Sequence, residues 1–429
     1  MSARKLDSEI TILGGGLVSI YASYKLIDRS PSVVFGEQNL GGILTGQKWK
    51  NFYIDNGCHF FDGNDEQFNF FETVGGTQRH NIIYGSFNQG VLSEDIATPE
   101  IQDKEMIRKI IKELQSLDYN QQYKSLDYQN IGEVFIKKFG KTCGEHLSNI
   151  QAKFTGRNYK SVIADEFDKF SVFHRVRLGD DVTSNKLKQS NAYLDNIICS
   201  SLESRGLNKY QVSMYPKKNG TTGFTFSAKK FLDKNKISLI NNFIISKIKK
   251  MGDHFEIIST DGDRFHTQKI ISTLPYALLS KLLGHQTNGI PEFINYKIIV
   301  LEIDKKQVLE NYYVQDFDPH HSTYRSSNFG SYSNQFSEHD TTIVMAEIPF
   351  SFNEVSIDLN KIRQELIRHK ILAENVKILD HHVIDKKNVI PINYVHEEIV
   401  LPKNIFSVEK NSFSMKSKFA DVEKIIKKI

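Results

Sequence analysis

The chain has 429 residues, 39% of them hydrophobic and 25% charged, with a formal net charge of +4. That length exceeds one small core and that balance is ordinary for a globular protein, so one large or two interleaved domains are expected. Lys and Arg are scattered rather than clustered, which argues against a nucleic-acid partner, and no run of about 18 apolar residues offers a membrane span.

The opening "MSARKLDSEI" lacks the apolar stretch of a signal peptide. Cys58, Cys143 and Cys199 lie far apart without metal-ligand spacing, so a reducing, cytoplasmic setting is expected. Next, "EITIL" (9–13) alternates and is β-branched, which predicts a strand. Gly14-Gly15-Gly16 follows at once, and "LVSIYASYKLI" then carries apolar residues at helical spacing. Strand, glycine turn and helix in succession form the context in which a glycine fingerprint holds a dinucleotide. Gly14 would permit the tight turn, and Gly16 would let backbone approach a pyrophosphate at the helix N-terminus. The third position of the G-x-G-x-x-G spacing is Ser19. "SVVFGE" (32–37) predicts a second strand ending in Glu37, placed to accept from ribose hydroxyls and to disfavour a 2′-phosphate. A second glycine pair, Gly41-Gly42, comes soon after.

Further along, "EMIRKIIKELQSL" has apolar residues at i, i+3, i+4 spacing and predicts a helix, whereas "KIIVLEI" and "TTIVMAEI" alternate as strands. His320-His321 lacks a third ligand at suitable spacing and reads as a polar loop, so no metal is expected. The terminal "EKIIKKI" reads as the end of an amphipathic helix.

"TILGGGLVSIYASYKL", "VVFGEQNLGGILTG" and "FYIDNGCHFF" together resemble the opening of the flavin amine oxidase superfamily, a group that includes protoporphyrinogen oxidase and UDP-galactopyranose mutase. "MYPKKNGTTGFTFSAKKFL", "KISLINNFIISKIKKMGDHFEIISTDGDRFHTQKIISTLP" and "NIFSVEKNSFSMKSKFADVEKII" extend the resemblance to the end of the chain. It implies an α/β fold: a Rossmann-like FAD-binding domain with a parallel sheet (8–65, 212–285 and 385–429) and a discontinuous α+β substrate domain (66–211 and 290–380). The resemblance also implies FAD as cofactor, held by Gly14, Gly16, Leu17, Glu37, Gly41, Gly42, Ile245, Glu409 and Met415. His59, beside the isoalloxazine, and Arg325, facing the substrate near Glu347, are the implied catalytic residues. The implied activity is an FAD-dependent oxidoreductase or flavin-assisted isomerase acting on a polar metabolite, a nucleotide-linked sugar being favoured over an apolar amine or carotenoid. Three positions depart from the family pattern: Ser19, Ile43 in place of an arginine, and Val408 in place of a glycine. They keep open a relative that binds FAD weakly or not at all and catalyses nothing.

Overall fold

The structure, a computed structural model, describes residues 7–57, 59–95, 97–117, 127–208, 211–285, 292–309, 312–350, 356–393, 399–408 and 415–429. The chain divides into two compact units: Met1–Arg79, Ser213–Ile290 and Val395–Ile429 form the first, and His80–Val212 with Pro291–Tyr394 form the second.

The first unit is built on strand Ser8–Leu13, whose Ile10, Ile12 and Leu13 are fully buried. Burial on both faces is what a central parallel strand requires. It pairs in parallel with Ser32–Val34 on one side and with Arg264–Ser272 on the other. Ser238–Ile240 extends the sheet in parallel beyond Ser32–Val34. Along Arg264–Ser272 the far edge is shared. Its first half continues the hairpin of Ile245–Met251 and His254–Ser259, and its last three residues pair in parallel with Ile405–Ser407. The parallel order is therefore that of a doubly wound α/β sheet, in which ligands sit outside the carboxyl ends of the strands.

Helices Leu17–Lys25, Asp65–Gly75, Gly220–Lys234 and Met415–Ile426 supply Tyr21, Phe70, Phe71, Phe224 and Phe419 to one aromatic core with Ile10 and Ile12. Each such ring contributes roughly 1.5–3 kcal/mol when fully buried. This core moves a boundary. Residues 66–79, expected in the substrate domain, belong to the first unit, because Phe70, Phe71 and Val74 have nowhere else to bury. Asn64 starts their helix with a reciprocal capping box to Gln67.

In the second unit a mixed sheet runs in the order Ile378–Ile392, Glu292–Asp304, Thr341–Phe350, Arg325–Ser327, Tyr313–Asp316, Tyr84–Asn88, Val91–Ser93. The second boundary moves here as well. Residues 385–394 were expected in the nucleotide-binding domain, but strand Ile378–Ile392 keeps its antiparallel pairing with Glu292–Asp304 through Ile392. Helices Lys104–Gln115, Ile131–Phe139 and Lys141–Thr155 bury Ile110, Leu114, Phe135, Phe139, Leu147 and Phe154 in a core of their own. The helical reading of "EMIRKIIKELQSL" is matched by Lys104–Gln115.

Candidate functional site

At the carboxyl ends of the first unit's strands lies a cavity of about 580 Å³. Gly14, Gly15, Gly16, Leu17, Glu37, Ile245 and Met415 line it, together with Ile43, Ile244, Leu278 and Lys418. Six of the residues named for a cofactor from the sequence thus come together on one surface: Gly14, Gly16, Leu17, Glu37, Ile245 and Met415.

The three glycines differ in what makes them glycine. Gly14 has φ +109, and a Cβ there would stand 2.5 Å from the Thr273 hydroxyl oxygen, so both backbone and space exclude a side chain. A Cβ on Gly15 would press on the Phe35 ring at 3.0 Å. Gly16 has an ordinary extended backbone, and a Cβ there would meet nothing within 4 Å. Its missing side chain leaves open space above the start of helix Leu17–Lys25, which has no side-chain cap. A helix N-terminus with room above it suits an anion.

Ser19 is accommodated rather than merely tolerated. It is fully buried, and its hydroxyl lies 2.7 Å from the Thr273 hydroxyl, which itself donates to the Leu13 carbonyl at 2.9 Å. Glu37 stands exposed just past strand Ser32–Val34, with no side-chain partner among the described residues. Val408 is buried, and its amide donates to the Ser272 carbonyl at 3.0 Å, so a residue with a side chain fits where a glycine was expected.

Gly41 and Gly42 do not line this cavity but brace it from behind. The Gly41 amide donates to the Gly15 carbonyl at 2.6 Å, and Gly41 has φ +131 with its Cβ position only 2.3 Å from Thr225 Cγ2. A Cβ on Gly42 would stand 3.3 Å from Gly16 Cα. The second glycine pair therefore lets two backbone turns touch. Glu409 lies outside the described residues.

Sequence reasoning passed over Asp55 and Asn56, although a polar pair after "FYI" was the available signal. Asp55 is fully buried; it accepts from the Tyr215 hydroxyl at 2.6 Å and from the Thr221 amide, in the first turn of helix Gly220–Lys234, at 2.9 Å. Asn56 Nδ2 donates to the carbonyls of Ile43 and Thr45 at 3.0 and 2.7 Å. His59 Nε2 donates to the Asn56 carbonyl at 3.0 Å, which in the neutral ring leaves Nδ1 as an acceptor. The "DNxxH" segment thus ties the second glycine pair, the helix and the histidine into one knot.

Burial pushes the Asp55 carboxyl up to about 6, against the two hydrogen bonds that favour its charge. A raised value means that folding is favoured while the group is protonated. Its contribution is complete below its ordinary value of 3.8 and is lost as pH rises through about 6. At 1.36 kcal/mol per pH unit the span is about 3 kcal/mol. We expect the stability of wild type relative to Asp55→Asn to fall by about that amount between pH 4 and pH 7. Urea unfolding of both proteins at the two pH values measures it; a constant difference would mean that Asp55 is charged in the fold.

Arg325 has a partner that the sequence did not indicate. It stands directly opposite Glu347 across two antiparallel strands of the second unit. Its Nε donates to Glu347 Oε1 at 2.7 Å and its Nη2 to Oε2 at 2.5 Å, with the Tyr324 hydroxyl also donating to Oε2 at 3.2 Å. The two groups read as facing a substrate are bonded to each other, because register makes them a cross-strand pair. His59 belongs to the first unit and Arg325 to the second.

The second unit also holds a buried polar cluster invisible in the sequence. Asp316 Oδ2 accepts from His321 Nδ1 and His369 Nε2, each at 2.7 Å, while Oδ1 takes the Lys153 ammonium at 2.9 Å. Lys153 also donates to the Asp316 and Asp318 carbonyls at 3.0 and 2.8 Å. Burial works to raise the Asp316 carboxyl, but Lys153 and the two imidazoles outweigh it and hold it far below the usual carboxylate range. One carboxylate and two imidazoles in contact invite a metal reading, and His321 was part of the pair read as a loop. The donor set does not fit one. Arg368 Nη1 donates to His321 Nε2 at 2.9 Å, so the ring proton is on Nδ1, the atom that would have to bind the metal. The neighbouring Lys153 charge opposes a cation further.

No family model and no curated protein matches the sequence. Solved structures do match the fold. Reduced UDP-galactopyranose mutase superposes with a TM-score of 0.63 at 14% identity, covering 91% of this chain and 84% of its own. Putrescine oxidase bound to putrescine gives 0.61 at 11% identity, over 98% and 99%. A CLA-producing fatty acid isomerase from P. acnes gives 0.55 at 10%, over the whole of both chains. A nucleotide sugar, a polyamine and a fatty acid are thus named for three proteins of one architecture, so the likeness carries fold and not substrate. The chain has the fold shared by the amine oxidase-like and UDP-galactopyranose mutase-like proteins, a Rossmann-like α/β unit with a discontinuous α+β unit.

Proposed function

We propose that the chain binds FAD in the cavity at Gly14–Gly16 and is an FAD-dependent oxidoreductase or flavin-assisted isomerase of a small molecule. The observation that carries this is the space a Gly16 side chain would have filled, over an uncapped helix N-terminus and beside the Glu37 carboxylate. The exposed apolar side chains of Ile43, Ile244 and Leu278 around the same cavity support a bound ring system that covers them. Gly14, Gly16 and Leu17 would receive the diphosphate, Glu37 the ribose hydroxyls, and Ile245 the adenine. FAD, when bound, supplies hydride acceptance or a nucleophilic ring nitrogen. The chain's own part is to orient it, and His59 would hold or pass a proton through Nδ1 while Nε2 stays on the Asn56 carbonyl.

The favoured substrate class changes weight. A nucleotide-linked sugar rested partly on Arg325 gripping a diphosphate, and the Nε and Nη2 donors needed for that grip are engaged by Glu347. The proposal is therefore kept at a polar metabolite. Its first test is the absorption of the purified protein between 300 and 550 nm with titration of added FAD. Twin flavin bands and released FAD are expected, and a colourless protein that takes up no FAD would sink the reading. Glu37→Ala is expected to weaken FAD binding roughly tenfold, the effect of losing one charged acceptor, with melting unchanged. Equal affinity would remove Glu37 from the site.

A further inference from the structure

We infer that Lys418 is the cationic partner of the bound nucleotide's diphosphate, a role that rests on the FAD reading above. Among the described lining residues of the cavity, the charged ones are Glu37 and Lys418. They stand on different elements. Glu37 lies past strand Ser32–Val34, where its carbonyl accepts from the Asn242 amide at 3.2 Å, beside Ile244. Lys418 lies in the first turn of helix Met415–Ile426.

That helix is packed along helix Leu17–Lys25, the one whose start the glycines frame. The Tyr21 and Phe419 rings stack with centroids 3.9 Å apart and planes 11° from parallel, and the Tyr21 hydroxyl donates to Glu423 at 2.5 Å. Leu17, the first residue of one helix, and Met415, the first described residue of the other, both line the cavity. Moving from Leu17 to Tyr21 on one helix matches moving from Met415 to Phe419 on the other. The two helices therefore run in the same direction, with Leu17 and Met415 at one cavity. Helical side chains lean toward the helix N-terminus, so a lysine in the first turn projects toward the cavity rather than along the helix.

The consequence is a division of charge. Glu37 belongs with the neutral, hydroxyl-bearing part of a dinucleotide. A cation beside the helix N-terminus that the glycines frame belongs with its anionic part. The position following Gly42 is Ile43, which brings no charge to the cavity it lines, so Lys418 carries that task.

The test compares wild type, Lys418→Met and Lys418→Arg for the affinities of FAD, ADP and riboflavin, read by fluorescence and calorimetry at low and high salt, with thermal melting as a folding control. Lys418→Met should lose roughly tenfold for both FAD and ADP, less at high salt, and nothing for riboflavin. Lys418→Arg should restore most of the loss. If Lys418→Met binds FAD and ADP as wild type does, the inference about Lys418 fails and the FAD reading stands. If it loses FAD affinity but keeps ADP affinity, Lys418 serves the ring system and the diphosphate role is overturned. If wild type binds neither FAD nor ADP, the FAD reading falls and this inference with it.

Discussion

Gly16→Leu should reduce FAD affinity by roughly a hundredfold, equivalent to about 2.8 kcal/mol, while leaving the fold standing. The reasoning depends on what surrounds that position. Gly16 has φ −82 and ψ −177, a backbone any residue adopts, and open space lies where its side chain would start. A leucine there would occupy that space and the approach to the helix N-terminus. An apolar residue at the N-cap costs about 1 kcal/mol at most in exchange for glycine, so melting should shift by only a few degrees. Gly14→Ala should do the reverse. Its φ of +109 and the Thr273 oxygen 2.5 Å from the new Cβ place the damage in the fold, with at least about 1 kcal/mol of stability lost. Measuring FAD titrations and melting on both variants separates the two roles. Unchanged FAD binding in Gly16→Leu would move the phosphates away from this turn altogether.

Asp316→Asn should cost about 3–5 kcal/mol, the largest single stability effect expected outside the aromatic cores. The substitution keeps shape and removes charge. It leaves the Lys153 ammonium, nearly inaccessible to solvent, with two carbonyls and without its directly bonded carboxylate, the charges of Glu365 and Asp318 acting on it only without contact. It also sets an amide between two imidazoles that both donate to the carboxylate. Adding Lys153→Met to Asp316→Asn should recover part of the loss, because a buried cation without an anion costs more than neither. Urea unfolding of the three proteins reads this directly. A single variant within 1 kcal/mol of wild type would show that the Lys153 charge is compensated elsewhere.

The opening of the chain was legible because its signals are local. A strand, three glycines and a helix lie within 20 consecutive residues, so the pattern is complete in one short stretch. Glu37 followed for the same reason, since the strand that ends before it is contiguous. Ile245 and Met415 were reached through resemblance, and both line the same cavity. Asp55 was missed although it lies inside a quoted motif. A carboxylate in an extended segment gives no sign that Tyr215 and Thr221, some 160 residues later, will close over it.

Arg325 shows a partner that local signals do not reveal. Its residue type and strand setting were right for a substrate-facing cation, but sequence carries no information about strand register. The pairing that sets Arg325 opposite Glu347 is fixed only when Thr341–Phe350 docks between Glu292–Asp304 and Arg325–Ser327. The domain boundaries failed by the same logic. Residues 66–79 and 385–394 have helix and strand patterns that fit either unit, and long-range burial and pairing chose between them.

By itself, then, the sequence determined the local architecture that depends on periodicity and glycine: the glycine turn, the acid after the second strand, and the alternating strands of the second unit. Tertiary structure decided everything that requires two distant segments to meet. It seated Ser19 on Thr273, set Leu17 and Met415 at one cavity, paired Arg325 with Glu347, and gathered Lys153, Asp316 with His321, and His369 from three separated segments. The physical reason is range. Backbone propensity acts over a few residues, whereas burial of charge and close packing are satisfied only by partners that the chain brings together when it folds.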